Sequence, residues 1–217
     1  MQIVEQRSQE WFNLRKGKIT SSEIHKIMGK SDLSDTAKTY LLERVAELFG
    51  AVSVTPGNAA TDWGTKWEPT AVAYYSEQRN TPVETASFIP YNEHYGGSPD
   101  GLVAPKGIIE VKCPHNSVNH FKHGLIQSDE DFKKRKPDYY YQCISNMICA
   151  NADWCDFISF DPRVDEKYIM FVYRLHRNEN EVKNVLERID VAVKYMATLQ
   201  NDVKNSKQLL LEEAPTK

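Results

Sequence analysis

Residues 96–114 read GGSPDGLVAPKGIIEVKCP, and the fold turns on how the second half of that stretch is read. Ile108, Ile109 and Val111 mark a strand, yet Glu110 and Lys112 lie within it two residues apart. In a strand such residues share a face, with Cα atoms about 6.5–7 Å apart, so Glu110 and Lys112 project together while Ile109, Val111 and Cys113 face the other way. Gly96 to Gly101 is a turn-forming run, and the short link Ala104 to Gly107 returns the chain as a hairpin. That pairing places Asp100 on the strand next to Glu110. Two carboxylates meeting at one point make a hard oxygen site suited to Mg²⁺ or Mn²⁺. A lysine beside them can orient or deprotonate a water, or stabilise charge on a phosphate. The competing reading is a solvated sheet face on which Glu110 and Lys112 form a surface salt bridge. An isolated E-x-K does not choose between the two.

Outward from this hairpin, the chain alternates helix and strand signals. Thr20-Ser21-Ser22-Glu23 has capping-box spacing, with Ile24, Ile27 and Met28 at helical intervals and Gly29 as a stop. A second helix is expected over Thr36 to Phe49, with Leu41, Val45, Leu48 and Phe49 as its apolar stripe and Gly50 ending it. SVTPGNA reads as a loop. Trp63 to Gln78 reads as a helix with a kink or a late start near Pro69. Strands follow at Val83–Ile89, Gly101–Val103 and Ile108–Lys112, then helical material at Ser117–His123 and Pro137–Ala150. The charged run SDEDFKKRK between those helices reads as an exposed excursion, and Lys133–Lys136 within it as a solvated loop or the lining of a DNA channel. Strands at Cys155–Phe160 and Tyr168–Leu175 precede a long helix from Glu179, with Val182, Val185, Leu186, Ile189, Val193 and Met196 on one face. This order implies an α/β core: a central mixed β-sheet flanked by helices.

A length of 217 residues with 41% hydrophobic and 26% charged content suits a soluble globular chain with one substantial core. The absence of linkers or repeats leads us to expect a single domain over 1–217. No apolar run nears the roughly 20 residues that span a bilayer, and the N-terminus lacks a signal-peptide layout, so a cytoplasmic protein without membrane contact is expected. Cys113, Cys143, Cys149 and Cys155 form no C-x-x-C pair and read as reduced, structural thiols. The net charge of −3 gives no global sign of nucleic-acid binding.

SPDGL followed by EVKCP resembles the PD-(D/E)xK nucleases, and specifically the lambda-type phage exonucleases, or YqaJ viral recombinase family. Four further segments match in order: EWFNLRKGKITSSE resembles that family's W-x-x-x-R-x-G-x-I-T-A-S, WGTKWEP its W-G-x-x-x-E, YYYQCISNM its Y-x-x-Q helix, and FDPR its D-P-R. The match runs from Trp11 to Arg163 (11–163), leaving a C-terminal strand and long helix, 168–211, beyond it. The resemblance implies a restriction-endonuclease-like core. It implies that Asp100, Glu110 and the Val111 main-chain carbonyl bind the metal, two Mg²⁺ ions for which Mn²⁺ can substitute. Lys112 is implied as the catalytic lysine, Glu68 as the group that holds water on the metal, and Gln142 as the residue that orients the nucleophile or the lysine. Tyr139, one turn before Gln142, is a candidate DNA contact. Arg15, Ser22 and Ser98 match the residues that bind the DNA 5′-phosphate; a guanidinium grips phosphate in two-pronged fashion, and helix N-termini favour anions.

There are departures. Ser21 replaces the alanine of T-A-S, and Ala59-Ala60-Thr61-Asp62 offers no apolar side chain where the lambda-type enzyme wedges DNA strands apart. Trp11, Trp63 and Trp67 read as packing anchors. The function implied is a metal-dependent 5′→3′ exonuclease that degrades one strand of linear double-stranded DNA to 5′-mononucleotides. It would leave a 3′ overhang for a single-strand annealing protein to use in recombination. The family also implies a homotrimeric ring. The alternatives are an endonuclease of the same superfamily and a non-enzymatic DNA-end-binding module. If Lys112 is a general base it must shed its proton, and activity should rise on the alkaline side.

Overall fold

The computed structural model describes residues 4, 6–29, 32–52 and 57–212. Its centre is a four-stranded sheet in the order β4-β5-β6-β7, built from Gly101–Val103, Gly107–Lys112, Trp154–Phe160 and Met170–His176. β4 runs antiparallel to β5, β5 parallel to β6, and β6 antiparallel to β7. The expected mixed sheet flanked by helices is therefore present. A separate three-stranded sheet joins β1 (Ile19–Thr20), β3 (Tyr95–Gly97) and β2 (Ile89–Pro90) in that order.

Strand alternation divides the central sheet between two cores. Ile108, Cys155, Phe157 and Leu175 pack with α2 (Asp35–Leu48), α6 (Pro137–Ala150) and α7 (Glu179–Glu212). Ile109, Val111, Ile158 and Phe160 pack on the opposite face with Ala71 and Tyr75 of α3 (Ala59–Arg79). On that second face Asp156 is fully buried and accepts hydrogen bonds from the Tyr75 hydroxyl at 2.6 Å and from both prongs of Arg174 at 2.7 and 2.8 Å. Charge-assisted bonds of this kind let a carboxylate sit inside a core.

Several elements differ from expectation for identifiable reasons. α3 does not start late at Pro69. It begins at Ala59, where the Asn58 side chain accepts the Ala60 and Thr61 N–H groups at 3.0 Å and caps the helix, and it continues through Pro69. Of the loop SVTPGNA, Ser53–Pro56 lie outside the described residues. The segment Ser21–Ile27 is a 3₁₀ helix, and Thr20 makes no side-chain cap to it. In α2, Leu41 and Val45 are buried but Leu48 and Phe49 are about half exposed. Leu48 instead lies against Gly17, where a β-carbon would come within 2.2 Å of it and where φ is +71°, so only glycine fits. Of the strand expected at Val83–Ile89, only Ile89–Pro90 forms, together with an isolated bridge from Glu84 to Leu102.

The charged run is not an excursion. Asp129–Arg135 forms α5, capped by Ser128, with three acids in its first turn and three bases in its last, as the helix dipole favours. Phe132 within it is fully buried against Phe157, Tyr140 and Tyr173. α4 (Ser117–Gly124) and α7 agree closely with the periodicity, and α7 buries Val182, Val185, Ile189, Ala192 and Met196; α1 (Gln9–Arg15), capped by Ser8, is a helix that was not expected. Trp11 is buried, and Trp63 and Trp67 pack beside the second core. All four cysteines are free thiols. No helix among the described residues is long and apolar enough to cross a membrane.

α4 docks on the sheet through two buried histidines. His120 Nδ1 and His123 Nδ1 each lie 2.9 Å from Ser159 Oγ, and His120 Nε2 lies 2.8 Å from the Tyr168 carbonyl. A carbonyl only accepts, so His120 carries its proton on Nε2, Ser159 donates to His120 Nδ1, and His123 donates from Nδ1 to Ser159. Burial, with the charges of Lys136, His120 and Lys112, pushes His123 down to about 3 from 6.5. The unfolded imidazole takes up a proton that the folded one refuses, so this histidine subtracts stability as pH falls from 6.5 toward 3.

Two outcomes are expected in urea unfolding. Phe132→Ala should cost about 3–5 kcal/mol, the penalty for emptying a core aromatic site; a change well below that range would place α5 outside the core. His123→Asn should show a shallower loss of stability than wild type between about pH 6.5 and pH 3.

Candidate active site

The β4–β5 ladder ends where the site begins. Gly101 pairs with Ile109 and the Asp100 N–H donates to the Ile109 carbonyl at 3.1 Å, after which β4 has no further backbone to offer. The Asp100 side chain takes over: its Oδ2 accepts the Val111 N–H at 2.7 Å. In a strand the N–H and C=O of one residue point to the same edge, so the Val111 carbonyl also turns toward Asp100. The expected meeting of Asp100 with the Glu110 strand is what the structure shows.

Glu110 and Lys112 share the face of β5 that meets α6, but this is not a solvated face. Glu110 is 1% exposed, which removes the surface-salt-bridge reading. Its Oε1 accepts Lys112 Nζ at 2.7 Å and its Oε2 accepts the Asn146 side-chain amide at 2.9 Å. Lys112 also donates to Gln142 Oε1 at 3.2 Å and stands 4.8 Å from the centre of the Tyr139 ring. Tyr139 is stacked on Phe157 and faced by Lys136 as well, so it belongs to both the core and the site. One face of α6 thus presents Tyr139, Gln142 and Asn146 to the charged end of β5. Asn146 was not singled out in the sequence, although its place four residues after Gln142 puts it on the same helix face.

Close approach of β3 to this group depends on Gly97. A β-carbon there would come within 2.4 Å of both Asn146 Oδ1 and Ser21 Oγ.

The electrostatics leave a surplus of negative charge. Burial, then the Glu110 and Glu68 charges, push Asp100 well above the usual carboxylate range, against the pull of Lys112 and the Val111 N–H. Burial likewise raises Glu110, while Lys112 and Asn146 oppose it. Burial works against charge on Lys112 too, but Glu110 and Asp100 outweigh it and keep it an ammonium. Three carboxyl groups thus stand near Lys112, one of them, Glu68, already paired with Arg7, and burial together with their crowding favours protonation of Asp100. Among the described residues no three His, Cys, Asp or Glu side chains gather closely enough to hold a metal by themselves. Glu68 is drawn to Arg7 Nη2, at 2.8 Å. The donor set of Asp100, Glu110 and the Val111 carbonyl is nonetheless all oxygen, and a hard divalent cation would relieve the repulsion that raises Asp100. The residues present fit such an ion.

The three expected anion-binding residues also meet, around Trp11. The Arg15 guanidinium carbon sits 4.0 Å from the Trp11 ring centre, Arg15 Nη2 is 3.4 Å from Ser22 Oγ, and Trp11 Nε1 donates to Ser98 Oγ at 3.1 Å. Burial pushes Arg15 down to about 10, and among the described residues it has no ion-pair partner. A desolvated guanidinium beside two hydroxyls is a seat for an anion. Ser98 stands two residues from Asp100, so this seat and the carboxylates share one turn. The start of α3, Ala59 to Asp62, is exposed and holds no large apolar side chain. In α5, Lys133 pairs with Glu181 and Arg135 with Asp131; Lys134 is exposed, and Lys136, just after the helix, faces the Tyr139 ring.

Residues 10–153 match the YqaJ-like viral recombinase domain. Among solved structures the chain is similar to LHK-Exo, an alkaline exonuclease from Laribacter hongkongensis, at 30% identity over 95% of this chain and 100% of that one, with a TM-score of 0.79. LHK-Exo in complex with dAMP gives a TM-score of 0.78. A phage-related exonuclease from Haemophilus somnus, 21% identical over 88% of this chain and 98% of that one, shares the fold at a TM-score of 0.74. No curated protein matches the sequence.

Asn146→Ala removes one of two hydrogen bonds to a buried carboxylate. It should lower the urea unfolding free energy by about 2 kcal/mol at neutral pH; an unchanged value would mean that Glu110 does not depend on it.

Proposed function

The chain belongs to the YqaJ-like viral recombinase family and is an exonuclease of the phage type; from that premise we propose that it digests one strand of linear double-stranded DNA in the 5′→3′ direction. The products are 5′-mononucleotides and the remaining duplex carries a 3′ overhang. The observation that carries this reading is the shared turn: the Arg15–Ser22–Ser98 seat lies beside Asp100, as a terminal phosphate one nucleotide from the cut requires. That LHK-Exo has been seen with dAMP, a nucleoside monophosphate, is consistent with such a product.

Two Mg²⁺ ions, or Mn²⁺ in their place, supply Lewis acidity at the phosphate when held by Asp100, Glu110 and the Val111 carbonyl. The side chains do the rest. Lys112, whose charged form Glu110 and Asp100 favour, stabilises charge that builds on the phosphate. Gln142 holds Lys112 by its side-chain carbonyl and Asn146 holds Glu110, so both charged groups are oriented before substrate arrives. Glu68 offers a further acceptor at the edge of the site, and Tyr139 a π-face beside Lys112. Arg15 grips the 5′-phosphate and so limits cutting to ends. The same reading includes a homotrimeric ring around the duplex and a single-strand annealing protein that takes over the exposed 3′ strand.

The test is digestion of linear duplexes with 5′-phosphate or 5′-hydroxyl ends, and of a covalently closed plasmid, in Mg²⁺ or EDTA. Wild type should need the metal, prefer the phosphorylated end and spare the closed circle. Asp100→Ala should lose at least about a thousandfold in rate, and Arg15→Ala should lose the end preference. Full activity in Asp100→Ala, or equal cutting of the closed circle, would overturn the proposal.

A further inference from the structure

The segment before α1 holds an arginine in a backbone conformation that arginine rarely adopts. Arg7 has φ +69°, a left-handed geometry that costs a residue with a β-carbon on the order of 1–3 kcal/mol. Its neighbours keep it there. The Gln6 side-chain amide donates to the Ala86 carbonyl at 3.3 Å and to the Pro99 carbonyl at 3.0 Å, while Ser8 caps α1 by accepting the Trp11 N–H at 3.2 Å. Pro99 lies between Ser98 and Asp100, so the strap is fastened to the turn that carries the site.

The outcome of this arrangement is the contact between Arg7 Nη2 and Glu68 Oε2 at 2.8 Å, with side chains 47% and 24% exposed. An ion pair that open to water adds at most about 1 kcal/mol, no more than the strained backbone costs. Stability does not account for it. Glu68, meanwhile, lies close enough to the carboxylates for its charge to raise Asp100 and Glu110.

We infer that Arg7 is a positioning residue: the strained strap delivers its guanidinium to Glu68 Oε2, which fixes that carboxylate at the edge of the Asp100–Glu110 pair and leaves Oε1 to hold water on the cation. This rests on the nuclease reading above and adds to it a residue that acts only through Glu68. Two opposite effects follow from one contact. Arg7 holds Glu68 in place for the reaction, and its positive charge competes with a divalent cation for the same carboxylate. Removing Arg7 therefore slows cleavage and tightens metal binding, a pairing that general damage to the site would not produce.

The test is a double-substitution cycle with Arg7→Gly, Glu68→Gln and both together. Glycine accepts the positive φ without strain, so the strap is not lost with the side chain. Arg7→Gly should lower kcat on linear duplex at saturating Mg²⁺ by about tenfold, the usual cost of freeing a residue that supports a metal site, with KM for DNA unchanged. In DNA-free protein, calorimetric titration with Mn²⁺ should show Arg7→Gly binding about threefold tighter than wild type, the scale of an exposed ion pair. Neither change should add to the effect of Glu68→Gln, because residues that act as a unit are not additive. Arg7→Lys should restore part of the rate. Additive losses, a loss confined to KM, or Mn²⁺ binding that weakens or stays the same would each overturn the inference. If Asp100→Ala and Glu68→Gln themselves cut at the wild-type rate, the nuclease reading fails instead, which separates the two.

Discussion

The hydrogen bond from the Val111 N–H to the Asp100 carboxylate is the contact on which the site depends. A β-ladder satisfies each strand's backbone with its neighbour's backbone, and where the neighbour stops the next N–H is left without a partner. Here a side chain completes the ladder. Because that side chain is a carboxylate, the sheet's need for an acceptor at this position holds a charge beside Glu110. It also turns the Val111 carbonyl toward the same point. A single vacancy in β4 thus organises three oxygen donors at once.

The surrounding structure sets burial against charge at this point. Glu110 is buried, yet two donors engage it, so its desolvation is partly offset by Lys112 and Asn146. On the same face of the sheet, Ile108, Cys155 and Phe157 give a wholly apolar contact with α6. The helix therefore lies on β5 with an apolar end that fastens it and a polar end that orients the charges. On the other face α3 covers Ile109 and Val111 and brings Glu68 to the edge.

Much of this was legible because strands obey a period of two. The pattern of residues 96–114 specifies which side chains share a face and that Asp100 returns beside Glu110, and both hold in the structure. The long amphipathic pattern of α7 was equally clear. Legibility failed where one residue's tertiary contact outweighs the local trend. Phe132 turns a charged run into a docked helix, since one aromatic in an aromatic pocket buries more than the surrounding charges lose at the surface. Asn58 caps α3 early, and Pro69 is carried within the helix. Asn146 and Arg7 stayed hidden for another reason: each is defined by what it touches 36 or 61 residues away.

The sequence by itself determined the chemistry available: an acid, an acid and an ammonium on adjoining strands, with an arginine and two serines ahead of them. Alternation and turn composition are local properties, so they can be read along the chain. Only the tertiary structure decided that Glu110 is buried, that Glu110 and Asp100 favour the charged form of Lys112, and that Glu68 answers to Arg7. Burial and charge balance depend on everything packed within a few ångströms, and α1, α3 and α6 reach the site from distant parts of the chain.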